Sequence, residues 1–251
     1  MRLVMIGLSL DAHFRTMLAT CALSGVAKLW SVPEVKKVST LNGHTKQAVD
    51  VVFSSTGYHL ATASADRPAR LWNTEGSAQI TFEGHFDRLA RTAFHLSGKY
   101  LGTSSFDKTW RLWDVEVGEE LLLQEGHSRS VYGLSFHRDG SLAASCGLDS
   151  LARVLDLRQY LAHLGFEEEK LYIIIPAHSN LISEVKFEPQ EGYFLVTSSY
   201  DMTAKVWSSR DFKPVKSLSG REAKVILLDV DGDINAYHPY LTGMGAFVSA
   251  T

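Results

Sequence analysis

The sequence predicts an all-β protein of about five four-stranded sheets and a fragment of a sixth, arranged as consecutive repeats along 251 residues. A Gly-His pair recurs at intervals of 41 and 42 residues, at positions 43–44, 84–85 and 126–127. A tryptophan recurs at nearly the same interval, at Trp30, Trp72 and Trp113. A period of this length, held through most of a chain, indicates supersecondary units that stack on their neighbours.

The segments between these markers have the length and composition of β-strands. In the second repeat, residues 49–53, 58–64 and 69–73 are rich in β-branched and aromatic residues and are separated by short turn sequences. A fourth strand-like segment, residues 77–82, precedes the next Gly-His pair. The same four segments recur along the chain, which gives four strands for each repeat.

The repeat boundaries follow from the markers. The chain divides into a repeat region, residues 1–228, and a tail without the repeat pattern, residues 229–251. The marker pair becomes Ala177-His178 in the fifth copy and Gly220-Arg221 in a partial sixth. The copies, called repeats one to five and the partial sixth below, cover about residues 1–42, 43–83, 84–125, 126–176, 177–219 and 220–228.

Composition excludes several classes of protein. Hydrophobic residues make up 45% and charged residues 21%, so a disordered chain is excluded. The net charge of −3 is unlike that of a protein that wraps nucleic acid electrostatically. Only Cys21 and Cys146 are present, in no metal-binding spacing, and no apolar run is long enough to cross a membrane. We therefore expect no metal, no cofactor, no membrane and no small-molecule substrate.

The Gly-His and Trp-Asp markers, with their period of 41–42 residues, resemble the WD repeats, which build β-propellers. The resemblance covers about residues 1–228 and implies an incomplete WD-repeat propeller. In WD repeats a histidine, a serine or threonine, an aspartate and a tryptophan form one hydrogen-bonded set in each blade. Matching positions place such structural sets in repeats two, three and five: His44, Ser64, Asp66 and Trp72; His85, Ser105, Asp107 and Trp113; His178, Ser199, Asp201 and Trp207.

Two repeats depart from this pattern. Repeat four keeps His127 and Asp149 but has Gly147 and Leu155 where serine and tryptophan belong. Repeat one has Ser24 in the aspartate position and lacks the histidine. We expect both repeats to be less stable than the other three, because buried hydrogen-bonding groups lose partners.

The recurring His-Ser-Asp sets could also be interpreted as hydrolase triads. A catalytic site occurs once in one cleft, whereas these sets recur in every complete repeat together with a tryptophan. No Gly-x-Ser-x-Gly nucleophile motif is present. We therefore expect no catalytic residues and no enzyme activity, and interpret the sets as structural.

The loops that carry the markers are the better candidates for function. The Gly-His loops and the turns around the aspartates are expected on one face of the propeller. Arginine and aromatic side chains, which are enriched at interface hot spots, occur in these loops. The candidate partner-binding face consists of Lys46, Gln47, Arg67, Arg88, Phe106, Lys108, Arg129, Tyr132 and Tyr200.

Residues 84–154, 18–30 and 175–207 are similar to the WD-repeat pre-mRNA-processing factors of the U4/U6 small nuclear ribonucleoprotein. The distinctive elements are the paired Trp110 and Trp113, the segment QEGHSRSVYG, and PAH in place of a Gly-His pair. The resemblance implies a nuclear, non-catalytic scaffold that binds spliceosomal proteins in the U4/U6 and tri-snRNP particles. That family has seven blades, and residues 159–170 stand where it has a whole further repeat, so the chain reads as a truncated or altered member.

Three other hypotheses remain open at this point. A generic WD-repeat adaptor, such as a ubiquitin-ligase substrate receptor, would carry the same repeats. Arg88, Arg129 and Tyr132 could contact snRNA directly, and binding would then depend steeply on salt. A propeller hydrolase would lose its activity when Ser105 is replaced, without losing its fold.

Overall fold

A computed structural model describes residues 3–8, 17–161 except 33 and 35, 172–220 and 223–225. The end of the partial sixth repeat, the tail 229–251 and residues 162–171 lie outside the described residues. Two compact units divide the chain, residues 1–126 and 127–251. The first holds repeats one to three, and the second holds repeats four and five.

The first unit contains three four-stranded sheets, one in each repeat, and every neighbouring pair of strands is antiparallel. The prediction of an all-β chain with one four-stranded sheet per repeat is confirmed here. The strands are β1 Leu3–Leu8, β2 Met17–Ala22, β3 Ala27–Ser31, β4 Lys36–Leu41, β5 Ala48–Phe53, β6 His59–Ser64, β7 Ala69–Asn73, β8 Ala78–Phe82, β9 Leu89–Phe94, β10 Tyr100–Ser105, β11 Trp110–Asp114 and β12 Glu120–Gln124.

The second unit contains two further sheets of the same topology, in which strands adjacent in sequence are also adjacent in space. A single helical turn, α1 Arg158–Leu161, follows the third strand of repeat four. The strands are β13 Val131–Phe136, β14 Leu142–Gly147, β15 Ala152–Asp156, β16 Tyr172–Ile175, β17 Ile182–Phe187, β18 Phe194–Ser199, β19 Ala204–Ser208 and β20 Pro214–Leu218.

The second strand of each repeat ends in three small residues. In β6, the sequence HLATAS is buried from Leu60 onward, and β18 is buried along its whole length. Small side chains suit a strand covered on both faces, because neighbouring sheets can then approach closely. Cys21 and Cys146 lie in this strand of repeats one and four, and both are buried.

Neighbouring sheets within each unit share an apolar core. Between repeats two and three, Leu71 and Phe82 pack with Leu89, Leu101 and Trp113. A second cluster joins repeats one and two, and a third joins repeats four and five. Burial of large apolar side chains, each worth about 1.5–3 kcal/mol, therefore holds one sheet against the next.

The turn between the second and third strands has the same geometry in every repeat. The residue after the aspartate position adopts a positive φ, 90° at Arg67 and 74° at Lys108. Repeat one uses Gly25, with φ of 81°, at the corresponding place. Ser150 and Met202 occupy this position in repeats four and five, with φ of 66° and 68°, so the turn keeps its conformation with different side chains.

Candidate functional site

In repeat three, the histidine lies in a chain of hydrogen bonds that begins on a tryptophan. His85 Nδ1 lies 2.7 Å from Asp107 Oδ2, and His85 Nε2 lies 2.8 Å from the Thr103 hydroxyl. Trp113 Nε1 donates to the same hydroxyl at 2.8 Å. The carboxylate can only accept, so Nδ1 donates to it, and the Thr103 hydroxyl donates to Nε2. The chain satisfies four polar groups that the fold removes from water.

The same chain of bonds recurs in repeats two and five. Its constant geometry shows that the period in the sequence reflects a repeated packing unit. The lengths are 3.0 Å for His44–Asp66, 2.7 Å for His44–Thr62, 2.9 Å for Trp72–Thr62, 2.9 Å for His178–Asp201, 2.8 Å for His178–Thr197 and 3.0 Å for Trp207–Thr197.

Repeats four and one keep parts of the set. His127 Nδ1 lies 2.9 Å from Asp149 Oδ2 and its Nε2 lies 3.0 Å from the Ser145 hydroxyl, but leucine replaces the tryptophan donor. In repeat one, Trp30 Nε1 donates to the Thr20 hydroxyl at 2.9 Å. Repeat four therefore retains two of the three bonds, and repeat one retains the third.

The serines assigned to these sets make a different connection. Ser105 Oγ accepts the Asp107 N–H at 3.1 Å and donates to the Arg88 carbonyl at 3.0 Å, which ties the tight turn to the Gly-His loop. Ser64 and Ser199 accept the corresponding N–H groups at 3.1 Å. The hydroxyl between histidine and tryptophan belongs to the residue two positions earlier.

The sequence analysis missed this linking residue. Its signal is present, because a threonine or serine recurs ten positions before the tryptophan slot in every repeat. The linking residues are Thr20, Thr62, Thr103, Ser145 and Thr197.

Burial and hydrogen bonding shift the pKa values of the set in a consistent way. Burial alone would raise the pKa of each aspartate, but the hydrogen bonds that it accepts outweigh burial and lower the pKa of Asp66, Asp107 and Asp149. In repeat five the same balance lowers the pKa of Asp201 to about 2. Burial also lowers the pKa of His44 and of His178. In repeats two and five the folded state thus favours an ionised aspartate beside a neutral histidine.

The glycine of the Gly-His pair is required by a close approach. A Cβ atom on Gly84 would lie 2.5 Å from Arg111 Nη1 and 3.0 Å from Trp113 Cη2. Repeat five has Ala177 instead, and there a lysine, Lys205, replaces the arginine and donates from Nζ to the Ala177 carbonyl at 2.7 Å. The repeat that carries a Cβ at this position is thus one whose cation is a lysine.

The candidate face in the first unit lies at one end of the sheets. Its loops either precede the first strand of a repeat or join the second strand to the third. Antiparallel pairing brings these two loops to the same end of the sheet. Phe106 is half-buried, and the Arg88 guanidinium lies over its ring at 3.8 Å. The exposed members are Lys46, Gln47, Arg67, Arg88 and Lys108.

In the second unit the candidate residues differ in their exposure and in the element that carries them. Arg129 is exposed in the Gly-His loop, whereas Tyr200 is half-buried with Lys224 Nζ 4.8 Å from its ring centre. Tyr132 lies within β13 rather than in the loop. It sits where the register of β13 against β14 shifts between Val131 and Gly133. Such a bulge turns a side chain away from its regular direction.

Phe86 is an exposed residue of this region that the sequence analysis did not select. Its side chain is 80% exposed, and the Arg111 guanidinium lies 5.6 Å from its ring centre. Its backbone N–H donates to Asp107 Oδ2 at 3.0 Å, so its position is set by the structural set. Repeats two, four and five have Thr45, Ser128 and Ser179 there, so no period marks the position.

Among the described residues, no group of three or more His, Cys, Asp and Glu side chains has an arrangement that could hold a metal ion. No helix within the described ranges is long and apolar enough to span a membrane.

Comparison with known proteins identifies the class. The chain matches the family described as WD domain, G-beta repeat over residues 35–73, 76–114, 118–156 and 169–208. It therefore belongs to the WD-repeat family, and its sheets are blades of an incomplete WD-repeat β-propeller.

Particular relatives narrow the comparison. The chain is 56% identical to a U4/U6 small nuclear ribonucleoprotein PRP4-like protein of Arabidopsis thaliana, over 86% of this chain and 45% of that protein. It is 26% identical to a pre-mRNA-processing factor 19 homolog 2 of the same plant, over 88% of this chain and 41% of that protein. Protein hir1 of Schizosaccharomyces pombe is 26% identical over 81% of this chain and 20% of its own length. The chain thus spans less than half the length of these relatives.

Proposed function

We propose that this chain is a non-catalytic protein-interaction scaffold of the spliceosomal U4/U6 and tri-snRNP particles that supports pre-mRNA splicing in the nucleus. The observation that carries the proposal is the 56% identity, over 86% of the chain, to a protein named for the U4/U6 particle. Identity at this level extends well beyond the residues that define a WD repeat, so it supports a shared role as well as a shared fold.

The geometry of the His-Asp sets supports a non-catalytic role. The hydroxyl that bonds each histidine, such as Thr103, has no exposed surface, and Ser105 is equally buried. A nucleophile must reach its substrate, and a general base must be free to accept a proton. Here the hydroxyls and ring nitrogens are occupied by one another, so the sets act in packing.

The exposed edge of the repeats supports a binding role. Arg67, Arg88 and Lys108 are exposed there on short turns that the buried sets hold in place. Rigidly held arginine and aromatic groups are typical of binding hot spots, because little conformational entropy is lost when they are covered.

The proposal is tested by capture from a plant nuclear extract. The full chain, carrying an affinity tag, is expected to enrich U4 and U6 snRNA together with proteins of the same particle. Arg88→Glu is expected to reduce this enrichment. Lys99→Glu, an equal charge change on the exposed β9–β10 turn at the other end of the same strands, is its matched control.

Three outcomes would contradict the proposal. Enrichment of cullin-type ligase subunits without U4 and U6 would favour the ubiquitin-ligase adaptor. Enrichment that is the same for both charge variants would exclude the candidate face. Recovery of naked U4 or U6 snRNA by the purified chain, with a steep salt dependence, would indicate direct RNA contact instead of protein partners.

A further inference from the structure

A cleft of about 420 Å³ lies between repeats two and three, at the end of their sheets that carries the Gly-His loops. Its lining includes Arg67, Pro68 and Arg70 from repeat two, and Glu83 and Phe86 from the adjoining loop. Phe86, which is 80% exposed, lines the cleft together with Pro68. An aromatic side chain at the opening of a cleft is of the type that contributes most to binding when a partner covers it.

The hydrogen-bonding groups of the cleft are unbalanced. Asp66 also lines it, but its carboxylate accepts from Thr45 N–H at 2.8 Å and from His44 Nδ1 at 3.0 Å. Within the described part of the chain, the Arg67 guanidinium has no hydrogen-bond or ion-pair partner. Arg70 donates from Nη1 to Thr81, while its buried Nε lacks a partner among the described residues. The exposed Arg67 guanidinium is thus available to a ligand that supplies acceptors, whereas the Arg70 Nε is enclosed by the protein.

We infer that this cleft binds a linear peptide segment of a protein partner, with a carboxylate against Arg67 and Arg70 and an aromatic or aliphatic side chain against Phe86. The inference rests on the proposed scaffold function and specifies the chemistry of one of its partners. A guanidinium pairs with a carboxylate through two parallel hydrogen bonds, which fixes the direction of the bound segment. The exposed phenylalanine supplies apolar contact area without ordering a flexible side chain.

The same cleft is poorly suited to RNA. A single strand brings one negative charge for each nucleotide. Glu83 and Asp66 line the cleft beside the two arginines, so a continuous polyanion meets repulsion. A peptide can place one carboxylate at the arginines and keep neutral residues at Glu83.

The test starts with selection of random linear peptides, displayed on phage, against the immobilised full chain. Enriched sequences are expected to carry Asp or Glu within a few positions of Phe, Tyr, Trp or Leu. In fluorescence anisotropy with an enriched peptide, Phe86→Ala and Arg67→Glu are each expected to weaken binding at least about tenfold. The matched controls are Tyr58→Ala and Lys99→Glu, two exposed residues at the opposite end of the sheets.

The inference is overturned if selection enriches no peptide, or if enriched peptides bind both cleft variants as tightly as the unaltered chain. It is also overturned if poly-uridine RNA binds the chain and only the RNA complex is lost in Arg67→Glu. Equal unfolding midpoints for all four variants exclude misfolding as the cause. Capture of U4 and U6 that survives both cleft variants would refute the cleft while leaving the scaffold proposal standing. Binding of peptides to the cleft without capture of U4 and U6 would refute the scaffold proposal while leaving the cleft standing.

Discussion

At the scale of single residues, one hydroxyl holds each complete set together. Thr103 joins Trp113 to His85, and none of its surface is exposed. Valine has nearly the same shape but cannot hydrogen-bond, so it would leave an indole N–H and an imidazole nitrogen buried and unpaired. The set therefore depends on the hydrogen bonds of this threonine more than on the volume that its side chain fills.

Replacement of Thr103 by valine is expected to lower the free energy of unfolding by at least about 2 kcal/mol, since it leaves two buried groups unpaired and each costs about 1–3 kcal/mol. Urea denaturation followed by circular dichroism measures the change. Thr56→Val, at an exposed loop position, serves as the control. Equal stability of Thr103→Val and the unaltered chain would show that the linking hydroxyl has no structural role.

In repeat three, Gly84 and Arg111 lie so close together that a change at one residue affects the other. Gly84→Ala places a Cβ 2.5 Å from Arg111 Nη1, so we expect a loss of about 1–3 kcal/mol from overpacking. Adding Arg111→Lys recreates the combination found naturally at Ala177 and Lys205, and is expected to restore part of the loss. Thermal melts of the single and double variants measure this. A double variant less stable than the sum of both single changes would contradict the explanation.

Acid is expected to destabilise the chain in two steps. The pKa of His44 and of His178 is lowered on folding, so the unfolded chain binds protons first and stability falls below about pH 6.5. The lowered pKa of Asp201, about 2, adds stability above about pH 4 that is lost as pH falls toward 2. Burial raises the pKa of Asp50, which acts in the opposite direction. Unfolding free energies that stay constant or rise from pH 6.5 to 3 would contradict this account.

At the scale of elements, the repeats share a topology but differ in their bonding. Repeat three has the complete chain of bonds, whereas repeat four lacks the tryptophan donor to Ser145. The difference of one buried hydrogen bond, about 1 kcal/mol, is small beside the apolar burial that each sheet contributes. It should therefore alter local opening while leaving the strands intact.

Hydrogen exchange is expected to reveal this difference. Amide protons of β14 should exchange roughly fivefold faster than those of β10, because a loss of about 1 kcal/mol raises the population of the open state by that factor. Mass spectrometry of peptides from the two strands measures the ratio under identical conditions. Slower exchange in β14 would show that the missing tryptophan does not weaken repeat four.

The strands themselves were predictable to within one residue. The segments 49–53 and 58–64 correspond to Ala48–Phe53 and His59–Ser64, since strand composition and turn residues change at the same positions. The exposed site was less accessible to sequence reasoning. The period identifies residues that every repeat must bury, and Phe86 occupies a position that other repeats fill with threonine or serine. The bulge at Tyr132 was not predicted, because it depends on pairing across the sheet.

At the scale of the whole molecule, the structural residues and the proposed binding residues occupy different layers. The buried sets give each sheet its stability and hold the turns, while the side chains projecting from those turns are free to contact a partner. This separation lets the outer residues differ among repeats without loss of fold. It also explains why a family match alone identifies the blades and leaves the partner to be determined from the exposed residues.

The most direct test of this account compares Thr103→Val with Arg88→Glu in the U4/U6 capture assay, with the unfolding midpoint of each protein measured beside it. We predict that Thr103→Val lowers the midpoint yet captures the particle normally while it remains folded. Arg88→Glu should keep the midpoint and lose the particle. The reverse pattern, with binding lost in the folded Thr103→Val protein and retained in Arg88→Glu, would contradict the account.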